Sequence, residues 1–227
     1  MIRCRSLVVG YGGRAILPPL ELTIGQGELW VVVGHNGSGK TTWLRTLLGL
    51  LPPVSGSVEA DCELRSCYLR QRQTFDPHYP VTVEDVVRMG VLNQAIVSRG
   101  EPGASARVSR ALAVTCTADL AKQSFHRLSE GQKQRVLLAR VHAAEANLAV
   151  LDEPTSAMDQ AAEREAWEAL RRLQLDSRLA LVVVTHALGL AAKYADHALV
   201  FERESRSARI EVPERLVTSA GTPVGIG

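Results

Sequence analysis

The apolar run Leu29-Trp30-Val31-Val32-Val33 passes directly into Gly34-His35-Asn36-Gly37-Ser38-Gly39-Lys40-Thr41, and no other stretch constrains this chain as much. Consecutive large apolar residues without alternation predict a strand buried on both faces. The glycines predict a loop, and 40–50 predicts a helix. A strand covered on both sides needs helices above and below its sheet, so the expectation is an α/β fold with a parallel sheet.

The loop also carries chemistry. Gly34 to Thr41 fits G-x-x-x-x-G-K-[ST] and lies where that pattern works, after a buried strand and opening a helix. Gly34, Gly37 and Gly39 let backbone N–H groups turn inward around phosphate oxygens, and the helix N-terminus adds its positive end. Lys40 would reach the β and γ phosphates, and the Thr41 hydroxyl would ligate Mg²⁺. His35, Asn36, Ser38 and Thr42 complete the expected nucleotide-binding stretch, which implies ATP or GTP.

A second buried run, Leu148-Ala149-Val150-Leu151, ends in Asp152-Glu153-Pro154. Two carboxylates at the carboxyl edge of such a sheet lie where doubly wound folds bind ligands. Asp152 is expected to hold Mg²⁺, and Glu153 to polarise the attacking water as general base. His186 follows a third apolar run, 179–184, onto the same edge, where it would donate a hydrogen bond to the γ-phosphate.

Around this core the pattern divides the chain. Extended segments at 2–9 and 20–24, split by Gly10-Tyr11-Gly12-Gly13 and Pro18-Pro19, predict a small antiparallel sheet within about 1–28. The core is expected over 29–71 and 146–217, with a helix at 160–173 between its later strands. Helical periodicity without strand signals predicts an inserted helical subdomain over about 74–144, and the Gly- and Thr-rich 218–227 predicts a flexible tail. Basic and acidic residues are mixed and the net charge is +2, so no basic track offers itself to nucleic acid. The N-terminus lacks the apolar core of a signal peptide, and no run approaches the ~20 residues needed to cross a bilayer. A cytoplasmic chain is expected, with Cys4, Cys62, Cys67 and Cys116 as free thiols. The spacing of Cys62 and Cys67 would suit half of a metal site, but no second pair lies near.

Leu128-Ser129-Glu130-Gly131-Gln132-Lys133-Gln134-Arg135 resembles the signature segment of the ABC ATPases, whose usual form is Leu-Ser-Gly-Gly-Gln and a basic stretch. Ser129 followed three residues later by Gln132 also reads as a capping box, which starts a helix there. The resemblance extends over nearly the whole chain. It implies that Tyr11 stacks on adenine, that Gln71 binds Mg²⁺ and serves catalysis, and that Asp159 belongs to the acidic loop after the Asp152-Glu153 pair. It further implies ATP held between two head-to-tail cassettes in a homodimer, with Ser129, Gly131 and Gln132 of one facing the Lys40 loop of the other. The chain departs from the family pattern at several positions. Glu130 replaces a small glycine, Arg70 stands where proline is common with Gln73 as an alternative register to Gln71, and Ala187 replaces an acid.

The resemblance implies that separate membrane permease subunits receive the work of hydrolysis, docking beside Gln71 and the segment 74–89 that follows it. The chain would then lie peripherally on the inner face of the membrane. The stretch 75–90 looks most like importers of zinc, manganese or iron, which would add an extracytoplasmic substrate-binding protein; His78 reads there as a polar contact. Two other classes exist: soluble ABC ATPases of ribosomes or DNA, whose paired cassettes or long coiled coil are missing here, and regulatory cassettes, for which Glu130 is the hint.

Overall fold

In the computed structural model, which describes residues 1–61, 64–70, 80–92, 103–156 and 158–218, the strand expected at 29–33 runs through the middle of a six-stranded sheet. Along the chain come β1 (Ile2–Val8), a short hairpin of β2 (Gly10–Tyr11) and β3 (Arg14–Ala15), β4 (Leu20–Ile24), β5 (Leu29–Gly34), α1 (Lys40–Leu47), β6 (Ser55–Ala60) and β7 (Ser66–Leu69). Then follow α2 (Val83–Leu92), α3 (Ala104–Val114), α4 (Glu130–Ala143), β8 (Leu148–Asp152), α5 (Gln160–Ser177), β9 (Ala180–Val184), α6 (Leu188–Tyr194), β10 (His197–Glu202), β11 (Ser207–Glu211) and α7 (Arg215–Thr218).

The central sheet has the order β11-β10-β5-β9-β8-β7. Its inner pairs are parallel, whereas β11 runs antiparallel to β10. The expectation of a parallel sheet is corrected at this edge: the turn at 203–206 is too short for the crossover that a parallel partner requires. A second, three-stranded antiparallel sheet has the order β4-β1-β6. Residues 55–60, expected within the core, therefore serve the N-terminal sheet instead. Boundaries also shift: α1 ends at Leu47, β9 begins at Ala180, α5 continues to Ser177, and Thr218 closes a helix.

Side-chain alternation on β5 sets the layers. Trp30 and Val32 face one core, with Trp43 and Leu47 of α1 and the inward residues of β1 and β4. Leu29, Val31 and Val33 face the other, with Trp167 and Leu170 of α5 and Leu138 and Val141 of α4. Each such side chain contributes roughly 1.5–3 kcal/mol by leaving water, so the two cores dominate the fold's stability and clamp the carboxyl edge from both sides. A third cluster, Val86 and Val87 of α2, Val108 and Leu112 of α3, and Val136 and Ala139 of α4, fills the helical part. α4 is thus shared, with one face on the sheet and another on the helices. The buried Cys4 thiol, pushed up to about 12 by burial and then by Glu21, is inert; Cys67 is buried too, and Cys116 is exposed. Cys62 lies outside the described residues.

Candidate active site

The loop expected to bind phosphate leaves the sheet beside β10. Gly34 pairs with Phe201 across the β5–β10 ladder, has φ 144°, and a Cβ built on it would lie 2.4 Å from the Phe201 carbonyl oxygen. No side chain fits there, so glycine alone allows the approach. Gly39, at φ 105°, ends the loop and starts α1 without a side-chain cap. Lys40 lies back across the loop, its Nζ donating to the carbonyls of Gly34 at 2.5 Å and His35 at 2.9 Å. Burial pulls its ammonium below the usual lysine range, against the opposing pull of Glu153 and Asp152.

These groups open onto a cavity of about 630 Å³. Residues 36–42 form its floor, Asp152 and Glu153 one wall, Tyr11, Ala15 and Ile16 another, and Glu202, Arg203 and Arg206 a third. Tyr11 is half exposed, and its phenol oxygen accepts a 3.2 Å hydrogen bond from the Thr42 hydroxyl.

Asp152 is the last residue of β8 and accepts from the Tyr68 hydroxyl at 3.3 Å. Burial and then the neighbouring Glu153 push its carboxyl up, and the Tyr68 bond pulls it partly back. Glu153 adopts φ 49°, a left-handed conformation that a glutamate rarely takes, and its N–H donates to the Val184 carbonyl at 3.0 Å. That bend turns the side chain toward His186, with Glu153 Oε1 and His186 Nε2 2.9 Å apart. A carboxylate can only accept, so the imidazole N–H donates. His186 itself is absent from the cavity lining, and the partner it shows is Glu153, where the sequence suggested a phosphate.

The remaining residues lie elsewhere. Ser129 is the N-cap of α4 in a complete capping box: its hydroxyl accepts from Gln132 N–H at 3.3 Å, and Gln132 Oε1 accepts from Ser129 N–H at 3.0 Å. A Cβ on Gly131 would meet nothing within 4 Å, so this helix start opens onto free space. Glu130 is drawn back along the helix by Lys133, with Nζ 2.7 Å from its carboxylate. Asp159 caps α5 by accepting from Ala162 N–H at 2.9 Å. None of Ser129, Gly131, Gln132 and Asp159 lines the cavity. Gln71, Gln73, His78 and Ala157 lie outside the described residues. The sequence reasoning missed Ala15, Ile16, Glu202, Arg203 and Arg206; the short apolar run Ala198 to Phe201 followed by a charged turn was the available signal for the last three.

Among the described residues no group of three or more His, Cys, Asp or Glu could cage a metal ion. Thr41 and Asp152 both line the cavity, however, and Mg²⁺ usually takes one or two protein oxygens together with substrate phosphates. Ser38 Oγ, buried on the same floor, has no partner among the described residues and awaits one. The residues fit a magnesium nucleotide.

Residues 17–156, more than half of the chain, match the ABC transporter family. The chain belongs to that family. This cassette is 33% identical over 205 residues to a zinc import ATP-binding protein of Aliivibrio fischeri, covering 88% of this chain and 78% of the relative. It is 32% identical over 199 residues to one from Photorhabdus laumondii, covering 88% and 74%. Among solved structures, one described as an inward-facing metal-chelate type ABC transporter superposes with a TM-score of 0.83 at 27% identity, covering 94% of the cassette and 84% of that chain. The cassette is an ATP-binding, ATP-hydrolysing transporter subunit of the kind that pairs with a second cassette and with membrane permease subunits. No helix among its described residues is long and apolar enough to cross a membrane.

Proposed function

We propose that this cassette hydrolyses ATP in the cavity over the phosphate loop and energises import of a transition-metal ion, as zinc or a related ion or chelate. One observation carries the hydrolytic part: Lys40, Thr41, Asp152 and Glu153 all line one cavity. The loop N–H groups and Lys40 hold the β and γ phosphates, and Tyr11 stacks on the base. Thr41 and Asp152 would hold Mg²⁺, which would supply positive charge against the phosphates. Glu153 accepts a proton from water as the water oxygen bonds to the γ-phosphorus; the bond to the β–γ bridging oxygen breaks, ADP carries away the electron pair, and the proton passes on to phosphate. His186 positions the Glu153 carboxylate through its 2.9 Å hydrogen bond.

Ser129, Gly131 and Gln132 lie away from this cavity on an open helix start, which supports a head-to-tail homodimer in which each chain completes its partner's site. Gln71 joins Mg²⁺ binding and catalysis, and Asp159 belongs to the acidic loop after the Asp152-Glu153 pair. The permease docks beside Gln71 and the segment 74–89 on the inner face of the membrane, and an extracytoplasmic binding protein delivers the metal. The metal reading is supported by the zinc import relatives and the metal-chelate transporter structure. Two measurements test it: phosphate release by wild type against Glu153→Gln, and cellular zinc, manganese and iron content after deletion of the gene. Equal hydrolysis by both proteins removes Glu153 as base, and unchanged content of all three metals removes the import assignment.

A further inference from the structure

We propose that Arg203 and Arg206, on the turn between β10 and β11, grip the nucleoside and α-phosphate half of the bound nucleotide. The inference rests on the ATP reading of the cavity and deepens it by assigning a wall that reading leaves unused. Both side chains line the cavity and are exposed. Neither guanidinium has a hydrogen-bond or ion-pair partner among the described residues. Glu202, on the same wall, does not neutralise them: its carboxylate is held by Arg209 and by the Ser205 hydroxyl at 2.8 Å. The wall therefore presents two uncommitted cations beside a loop shaped for an anion.

The strand order decides which part of the nucleotide they meet. β10 lies on one side of β5, while β9 and β8 lie on the other, so the arginines and the Asp152-Glu153 pair flank the phosphate loop from opposite sides. The γ-phosphate and the attacking water belong with the acids. The arginines are left facing the end that Tyr11 and Ile16 also line. The position of the turn is set by backbone, since Phe201 pairs with Gly34 without any intervening side chain. A guanidinium suits both groups available there, forking onto α-phosphate oxygens or lying flat on a purine. Contacts remote from the bond that breaks persist unchanged from ground state to transition state. They alter KM and leave kcat alone.

The test compares wild type, the double variant R203Q/R206Q, Lys40→Ala and, as a charge control, Arg110→Gln on the exposed face of α3. Calorimetric Kd values for ADP and a non-hydrolysable ATP analogue are measured together with steady-state ATPase. In the double variant, both Kd values and KM rise about tenfold, the scale of a lost charge-assisted contact, while kcat stays within about twofold. Arg110→Gln matches wild type. R203K/R206K keeps the charge, loses the planar fork, and falls between, which also guards against misfolding of the glutamine variant. Unchanged Kd values, a loss confined to the ATP analogue, or a lower kcat at constant KM would each overturn the proposal. If Lys40→Ala binds nucleotide like wild type, the ATP reading itself fails. If it loses binding while the double variant does not, only the arginine assignment does.

Discussion

Two helices of this chain begin at glycine-bearing segments that a phosphate could approach, and they begin differently. α1 starts at Gly39 with no side chain capping its first turn, whereas α4 starts at Ser129 with a reciprocal box that satisfies Ser129 and Gln132 N–H groups from within. A cap is worth about 1 kcal/mol, so α1 forgoes stabilisation that α4 takes. What holds α1 instead is Trp43, Leu44 and Leu47 in the core. The difference separates two uses of one motif. α1 keeps its donors for a ligand, and α4 is complete as it stands and offers a surface.

The sharpest test of this division is at the hydrolytic wall. Glu153→Gln should lower steady-state phosphate release by roughly 10²–10³-fold while the isolated chain still binds nucleotide, because a general base acts on the transition state. At the other helix start, Ser129→Ala should cost about 1 kcal/mol in chemical denaturation yet leave the nucleotide Kd of the isolated chain unchanged. A changed Kd there would break the comparison by showing that α4 serves the cavity of its own chain. Asp152→Asn should raise the melting temperature by a few degrees at about pH 8. The sign follows from a carboxyl whose folded value is raised: the protonated form favours folding, and that support is lost as pH rises through the raised value. The advantage of asparagine should vanish as pH falls below the ordinary carboxylate range. The smallest effect belongs to Glu130→Gln, whose exposed pair with Lys133 is worth less than about 0.5 kcal/mol by thermal melting.

The legible parts were those with a single local cause. Unbroken apolar runs marked β5, β8 and β9, the glycine spacing marked the phosphate loop, and Ser129 with Gln132 marked the start of α4. β6 was not readable, since Ser55-Gly56-Ser57-Val58-Glu59-Ala60 is mostly polar and pairs as a solvent-facing edge beside β1. Its strand character comes from a distant partner, β1, with Ile2 opposite Ala60 and Val8 opposite Ser55, and no local pattern reports that. β10 was missed because its apolar stretch, Ala198 to Phe201, is only a single short run, and β11 because Arg209 interrupts it. The cavity's third wall went with them. The bend at Glu153 was equally hidden: φ 49° at a glutamate is imposed by tertiary structure and has no signature in sequence.

The missing side chain at Gly34 sets a distance. With Phe201 carbonyl oxygen where a methyl group would otherwise stand, the phosphate loop and the turn bearing Arg203 and Arg206 meet as one rigid corner. A probe attached to that turn would therefore act as a reporter for the loop, and alanine at 34 would disconnect the two by prising apart strands that now touch.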